Sequence, residues 1–169
     1  MYSIASPNQA RSQQALERFL NVAAEQLANN SFEETGIAQL AQLAESSVGT
    51  FYRLLGDKDL LLYAVHTRLV ERAQSSVEQL TEQLLQSDLP LQTQLERFIE
   101  GLQELFAGNE GLLRALVRRS STDVQFRKRF HLLNDYISQM LSRLVLSHPT
   151  KLQHPRPEQA ANLAAQAIS

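Results

Sequence analysis

Apolar positions recur at spacings of three and four through almost the whole chain, the period of an amphipathic helix rather than of a strand. The first stripe, Leu16, Phe19, Leu20, Ala23 and Leu27, predicts a helix over 8–28, ended by the turn-forming Asn29, Asn30 and Ser31. Ile37, Leu40, Ala41 and Ala44 predict a short helix. A second short one follows over 48–54, with Ser46 or Ser47 placed to cap it through a side-chain oxygen. Gly56 and Asp57 then open a long helix that carries Leu61, Val65, Leu69, Ala73, Val77, Leu80 and Leu84 and ends before Pro90. Leu91, Leu95, Phe98, Leu102, Leu105 and Phe106 mark the next helix, stopped by Gly108 and Asn109, and 112–119 a short one. Ser120 to Thr122 are expected to cap a long helix with Phe126, Phe130, Leu133, Ile137, Met140, Leu141 and Leu144, closed by His148-Pro149. Leu152 to Pro157 reads as loop, and Pro157 as the first residue of a last helix that the sequence leaves unfinished at Ser169. No alternating strand pattern and no internal repeat interrupts this all-α reading.

Composition narrows the possibilities without choosing among them. A chain of 169 residues is one domain or a small module joined to a larger one; the expected division is 1–56 and 57–169. Its 43% hydrophobic residues suffice for a packed core. No run approaches the roughly 18 apolar residues of a membrane span, and the N-terminus lacks a charged segment followed by an apolar one. No export or membrane insertion is implied, and the absence of cysteine suits a reducing cytoplasm, which is the expected location. The histidines His66, His131, His148 and His154 lie far apart, with no metal-ligand spacing, and read as surface or helix-end residues. No phosphate-cradling glycine loop or nucleophile elbow is present. The expectation is a non-enzyme with no catalytic residue, metal or cofactor.

The segment Thr35 to Lys58 carries the functional signal, because it packs two very short amphipathic helices and a turn into two dozen residues. That is the shape of a DNA-reading helix-turn-helix. Gly49 and Thr50 are small enough to let the backbone approach another surface, and Tyr52, Arg53 and Lys58 add a hydroxyl and two cations. Together with Phe32, Leu40-Ala41, Ala44, Ser47, Gly49-Thr50-Phe51-Tyr52, Lys58-Asp59 and Leu60-Leu61, the stretch from Arg18 to Leu62 resembles the DNA-binding domain of the tetracycline-repressor (TetR) family. The resemblance implies an N-terminal three-helix DNA-binding domain followed by a helical ligand-binding and dimerisation domain, whose C-terminal helix is incomplete here. It implies a homodimer on a palindromic double-stranded DNA operator, released by a small-molecule effector, here expected to be apolar. Carried onto this chain, Ser47 to Arg53 form the recognition helix, reached through Ser46, with Val48, Gly49 and Thr50 at the bases and a thymine methyl within reach of Val48 or Thr50. Thr35 would cap the first short helix and meet a phosphate. Tyr52 and Lys58 would hold phosphates, and Arg53 would read guanine or bind phosphate.

Charge and the turn work against that picture. Over residues 1–60 the cations Arg11, Arg18, Arg53 and Lys58 face the anions Glu17, Glu25, Glu33, Glu34, Glu45, Asp57 and Asp59, a net −3 where a DNA-binding module is ordinarily basic. Glu45 also stands in the turn where the family usually has glycine. The alternative is a helical ligand- or protein-binding module that has the fold without sequence-specific DNA binding. Further along, Phe98, Leu102, Leu105, Phe106, Leu116, Phe126, Phe130, Leu133, Tyr136 and Met140 fit either an effector cavity or plain core.

Overall fold

A computed structural model describes residues 7–107 and 109–148. Among them are seven helices and no strand: α1 Pro7–Ala28, α2 Ile37–Leu43, α3 Val48–Leu55, α4 Lys58–Leu85, α5 Leu91–Phe106, α6 Glu110–Thr122 and α7 Val124–Leu146. The readings placed on Gly108, Pro149, the 152–157 loop, His154 and the last helix lie outside the described residues.

Two of the early helices end in the same way. In α1 the Asn30 N–H donates to Leu27 O and the Ser31 N–H to Gln26 O; in α2 the Glu45 N–H donates to Gln42 O and the Ser46 N–H to Ala41 O. These are Schellman closures, which satisfy orphan carbonyls by placing one residue in the left-handed region. Asn30 (φ 57°) and Glu45 (φ 48°) occupy that position. Asparagine tolerates it, whereas glutamate carries the full Cβ penalty that a glycine would avoid. Gly56 (φ 77°), after α3, donates to Tyr52 O and turns the chain toward α4.

The described residues form two compact units, 7–68 with 109–119 and 69–107 with 120–148. In the first, α1, α2 and α3 each pack against the other two. Phe19 and Phe51 are fully buried there and meet edge to face with ring centroids 5.3 Å apart. The first part of α6 belongs to this unit. Arg118 donates to Asn30 Oδ1, Arg119 pairs with Asp59 at 3.1 Å, and a Cβ on Gly111 would stand 2.6 Å from Ala28 O. Leu112 and Leu116 are buried on the same helix.

In the second unit, Val77 and Leu84 of α4, Phe98 of α5, and Met140 and Leu144 of α7 form the core, with Leu102, Leu105, Tyr136 and Ile137 packed on it. Gln94 is buried and donates to Leu84 O at 2.9 Å, tying α5 to the end of α4.

Three details correct the sequence reading. The α7 cap is Asp123, whose Oδ1 accepts from Gln125 N and Phe126 N, while Ser120, Ser121 and Thr122 extend α6. Arg127 reaches back to the Ser120 and Ser121 carbonyls, so the end of α6 is satisfied from α7. His66 is neither at the surface nor at a helix end; it is fully buried within α4.

Candidate nucleic-acid interface

The geometry of the helix-turn-helix follows from its caps. Ser47, not Ser46, caps α3: its Oγ accepts the Thr50 N–H at 3.1 Å and lies 2.9 Å from the Thr50 hydroxyl. That fixes the start of α3. Phe51 and Leu55 turn inward and are buried, which leaves Val48 (40% exposed), Gly49, Tyr52 (54%) and Arg53 on the open side. A Cβ on Gly49 would meet nothing closer than Ser47 Oγ at 3.8 Å, so the backbone there is open to an approaching surface.

Two residues predicted to touch phosphate make contacts within the protein. Thr35 is 4% exposed and does not cap α2, whose N-cap is Gly36 with no side-chain cap bond. Its hydroxyl lies 2.8 Å from Ser31 O and 3.1 Å from Gln26 Oε1, closing the loop between α1 and α2. Lys58 donates its ammonium to Phe32 O (2.7 Å) and Glu33 O (3.1 Å) and stands 4.7 Å from the Phe32 ring centroid. Those acceptors lie some 25 residues back along the chain, beyond what local pattern reveals.

What the sequence reading missed lies on α1. Arg11, Ser12 and Arg18 of α1, with Ser46, Thr50 and Arg53, line an open cleft of about 460 Å³. Arg18 Nε donates to Ala44 O at 2.8 Å, where it closes the C-terminal end of α2, and Arg53 donates to Ser12 Oγ at 3.3 Å. Three of the four cations of residues 1–60 therefore converge on one cleft, and none is paired with a carboxylate among the described residues. The available signal was helical spacing: Arg11, Ala15 and Arg18 fall at i, i+4 and i+7 on α1, and Thr50 and Arg53 at i and i+3 on α3.

A scan of protein-family models found none that matches the chain, and a search of curated proteins found no relative. Solved structures do match. A Mesorhizobium loti protein described as a TetR-family transcriptional regulator has a TM-score of 0.75 at 16% identity, over 89% of this chain and 77% of that one. The fold is that of the TetR-family transcriptional regulators. PfmR, a TetR-family regulator of Thermus thermophilus, has a TM-score of 0.66 at 20% identity over 89% of this chain and 80% of its own. The reduced form of Escherichia coli NemR reaches 0.64 at 18% identity, over 90% and 82%.

The residues predicted to line an effector pocket divide between the two units. Phe98, Leu102, Leu105, Tyr136 and Met140 pack together in the second core. Phe126 and Leu133 are also buried in that unit, and Phe106 and Phe130 are half-buried. Leu116 is buried in the first unit. Among the described residues no helix is long and apolar enough to cross a membrane.

Proposed function

We propose that this chain is a DNA-binding transcriptional regulator that lays α3 in the major groove of an operator. The observation that carries the reading is the open side of α3, with Val48, Gly49, Tyr52 and Arg53 exposed beside a cleft holding three arginines without carboxylate partners. Val48 offers an apolar surface to a thymine methyl, and Arg53 is the long donor for guanine or phosphate. The major groove is roughly 12 Å wide and admits a helix of this size. Two such helices about 34 Å apart read a palindrome, so the protein acts as a homodimer. It is a repressor released by an apolar small molecule, for which the aromatic and aliphatic residues around Phe98, Tyr136 and Met140 supply the chemistry. The switch runs through α4, which begins directly after the recognition helix and contributes to both units. Such a switch requires the effector to bind the two arrangements with different affinity.

Glu45 in the turn, and the internal use of Thr35 and Lys58, favour a second reading: a helical module that keeps the fold without an operator. Selecting bound fragments from random duplex DNA separates the two. A palindromic consensus with half-sites one helical turn apart supports the regulator; no retained DNA at low salt, from this protein or its Glu45→Gly variant, sinks it.

A further inference from the structure

The α1–α3 cleft gathers three guanidinium groups, two of them from α1 and one from α3. We propose that Arg11, Arg18 and Arg53 form one phosphate clamp, which holds the backbone of duplex DNA beside α3 and makes α1 a second DNA-contacting element. This rests on the operator reading above and extends it from base contacts to register.

Three guanidinium groups around an open cleft of about 460 Å³ repel one another, and none is in ion-pair contact with a carboxylate among the described residues; Glu45 directly precedes Ser46 of the lining. An oxyanion offsets that repulsion, and the guanidinium fork matches phosphate bidentately. Two of the three are already positioned by the protein. The Arg18 Nε bond to Ala44 O orients that guanidinium and leaves its terminal nitrogens as donors, while the Arg53 bond to Ser12 Oγ links α3 to α1. Arg11 is exposed and contributes charge without a structural duty. Ser12, Ser46 and Thr50 supply neutral hydroxyls in the same lining. Thr50 and Arg53 belong to the recognition helix itself, so a duplex on α3 brings phosphates, one per about 3.4 Å of helix axis on each strand, to this lining. A free phosphate-bearing solute shares the chemistry but not that placement.

The test uses Arg11→Gln and the double variant Arg11→Gln/Arg53→Gln, with Arg18 kept because it closes α2. Affinity is measured from about 50 to 200 mM salt, for a duplex recovered by selection and for a random-sequence duplex. Each substitution is expected to flatten the slope of log K against log salt by about 0.9. Arg11→Gln should also weaken both duplexes by the same factor, about three- to tenfold at low salt, because phosphate contacts do not read sequence. Wild-type affinity and slope in a folded double variant overturn the clamp and the Arg53 contact while leaving operator binding by α3 in place, and a loss in Arg11→Gln confined to the selected duplex overturns the clamp alone. Failure of the wild type to bind either duplex overturns both. A parallel titration with inorganic phosphate at constant ionic strength follows the arginine Nε–H signals by NMR. Saturation there, combined with unchanged duplex binding by Arg11→Gln, assigns the cleft to a free oxyanion and overturns the DNA assignment.

Discussion

Replacing Glu45 with glycine should stabilise the protein, an unusual expectation for removal of a charged helix-end side chain. Glu45 holds φ 48° because the Schellman closure of α2 demands it: its N–H and that of Ser46 satisfy Gln42 O and Ala41 O. A side chain with a Cβ costs about 1–2 kcal/mol in that region. Glycine removes the cost but loses more freedom on folding, by about 0.4–1 kcal/mol. The balance is a gain of about 0.5–1 kcal/mol, or roughly 1–4 °C in Tm for a chain of this size. Urea unfolding followed by circular dichroism measures it as a higher midpoint at unchanged slope. Asn30→Gly is the control. Asn30 sits in the same conformation, but asparagine enters it readily, and its Oδ1 accepts from Arg118, so glycine there should gain nothing or lose stability. If Glu45→Gly leaves the midpoint unchanged or lowers it, backbone strain in the turn is refuted. The same substitution removes a negative charge next to Ser46 in the arginine cleft. DNA affinity should therefore rise at low salt, and the gain should fade as the Debye length shrinks below about 10 Å.

Three further outcomes follow from contacts described above. Gly111→Ala places a Cβ 2.6 Å from Ala28 O, a backbone atom that cannot rotate away. The overpacking cost of about 1–3 kcal/mol should exceed the helix-propensity gain of about 1 kcal/mol, whereas Gly101→Ala meets only the flexible end of Leu80 and should be near neutral; equal midpoints for the two variants would contradict this. Thr35→Val keeps the shape but removes the hydroxyl from Ser31 O and Gln26 Oε1, lowering stability by about 1–2 kcal/mol with DNA affinity of the folded protein unchanged. Selective loss of affinity at full stability would instead return that hydroxyl to a phosphate. Burial first, and then the Glu78 carboxylate, raise the Tyr136 phenol above its usual 10.0. The native state thus keeps its proton longer than the unfolded chain: the contribution is complete below pH 10 and is lost as pH rises through the raised value. Urea midpoints across that range should fall less steeply for Tyr136→Phe than for the wild type, and parallel curves would refute the assignment.

Element order was legible because hydrophobic period is a local property, and each stripe from Leu16 to Leu144 needed only its own neighbours to be read. Caps were legible to within a residue or two, since several acceptors compete in a string such as Ser120-Ser121-Thr122-Asp123. There the aspartate prevailed by accepting from two N–H groups, and Arg127 made the longer α6 tolerable by satisfying its last carbonyls. The internal contacts of Thr35 and Lys58 were not legible. A hydroxyl or ammonium next to a helix-turn-helix looks the same in sequence whether it faces phosphate or a carbonyl of the preceding loop, and only the packing of that loop decides.

The charge of the module shows how such packing changes a functional argument. A net −3 over residues 1–60 treats all eleven charges as equivalent, yet the fold places several of them in quite different surroundings. Glu17 is matched by Arg68, Asp59 by Arg119, and Asp57 accepts the Leu60 N–H at the start of α4. Lys58 is held by two carbonyls. Arg11, Arg18 and Arg53, which have no carboxylate partner among the described residues, share one cleft on the flank of α3. Because exposed charges farther apart than about 10 Å are largely screened at 0.1 M salt, the local field that a duplex docked on α3 would meet is governed by this grouping more than by the sum. An acidic helix-turn-helix can therefore present a cationic cleft, with Glu45 directly before its lining residue Ser46, and the salt dependence of duplex binding should follow those three arginines more than the net charge.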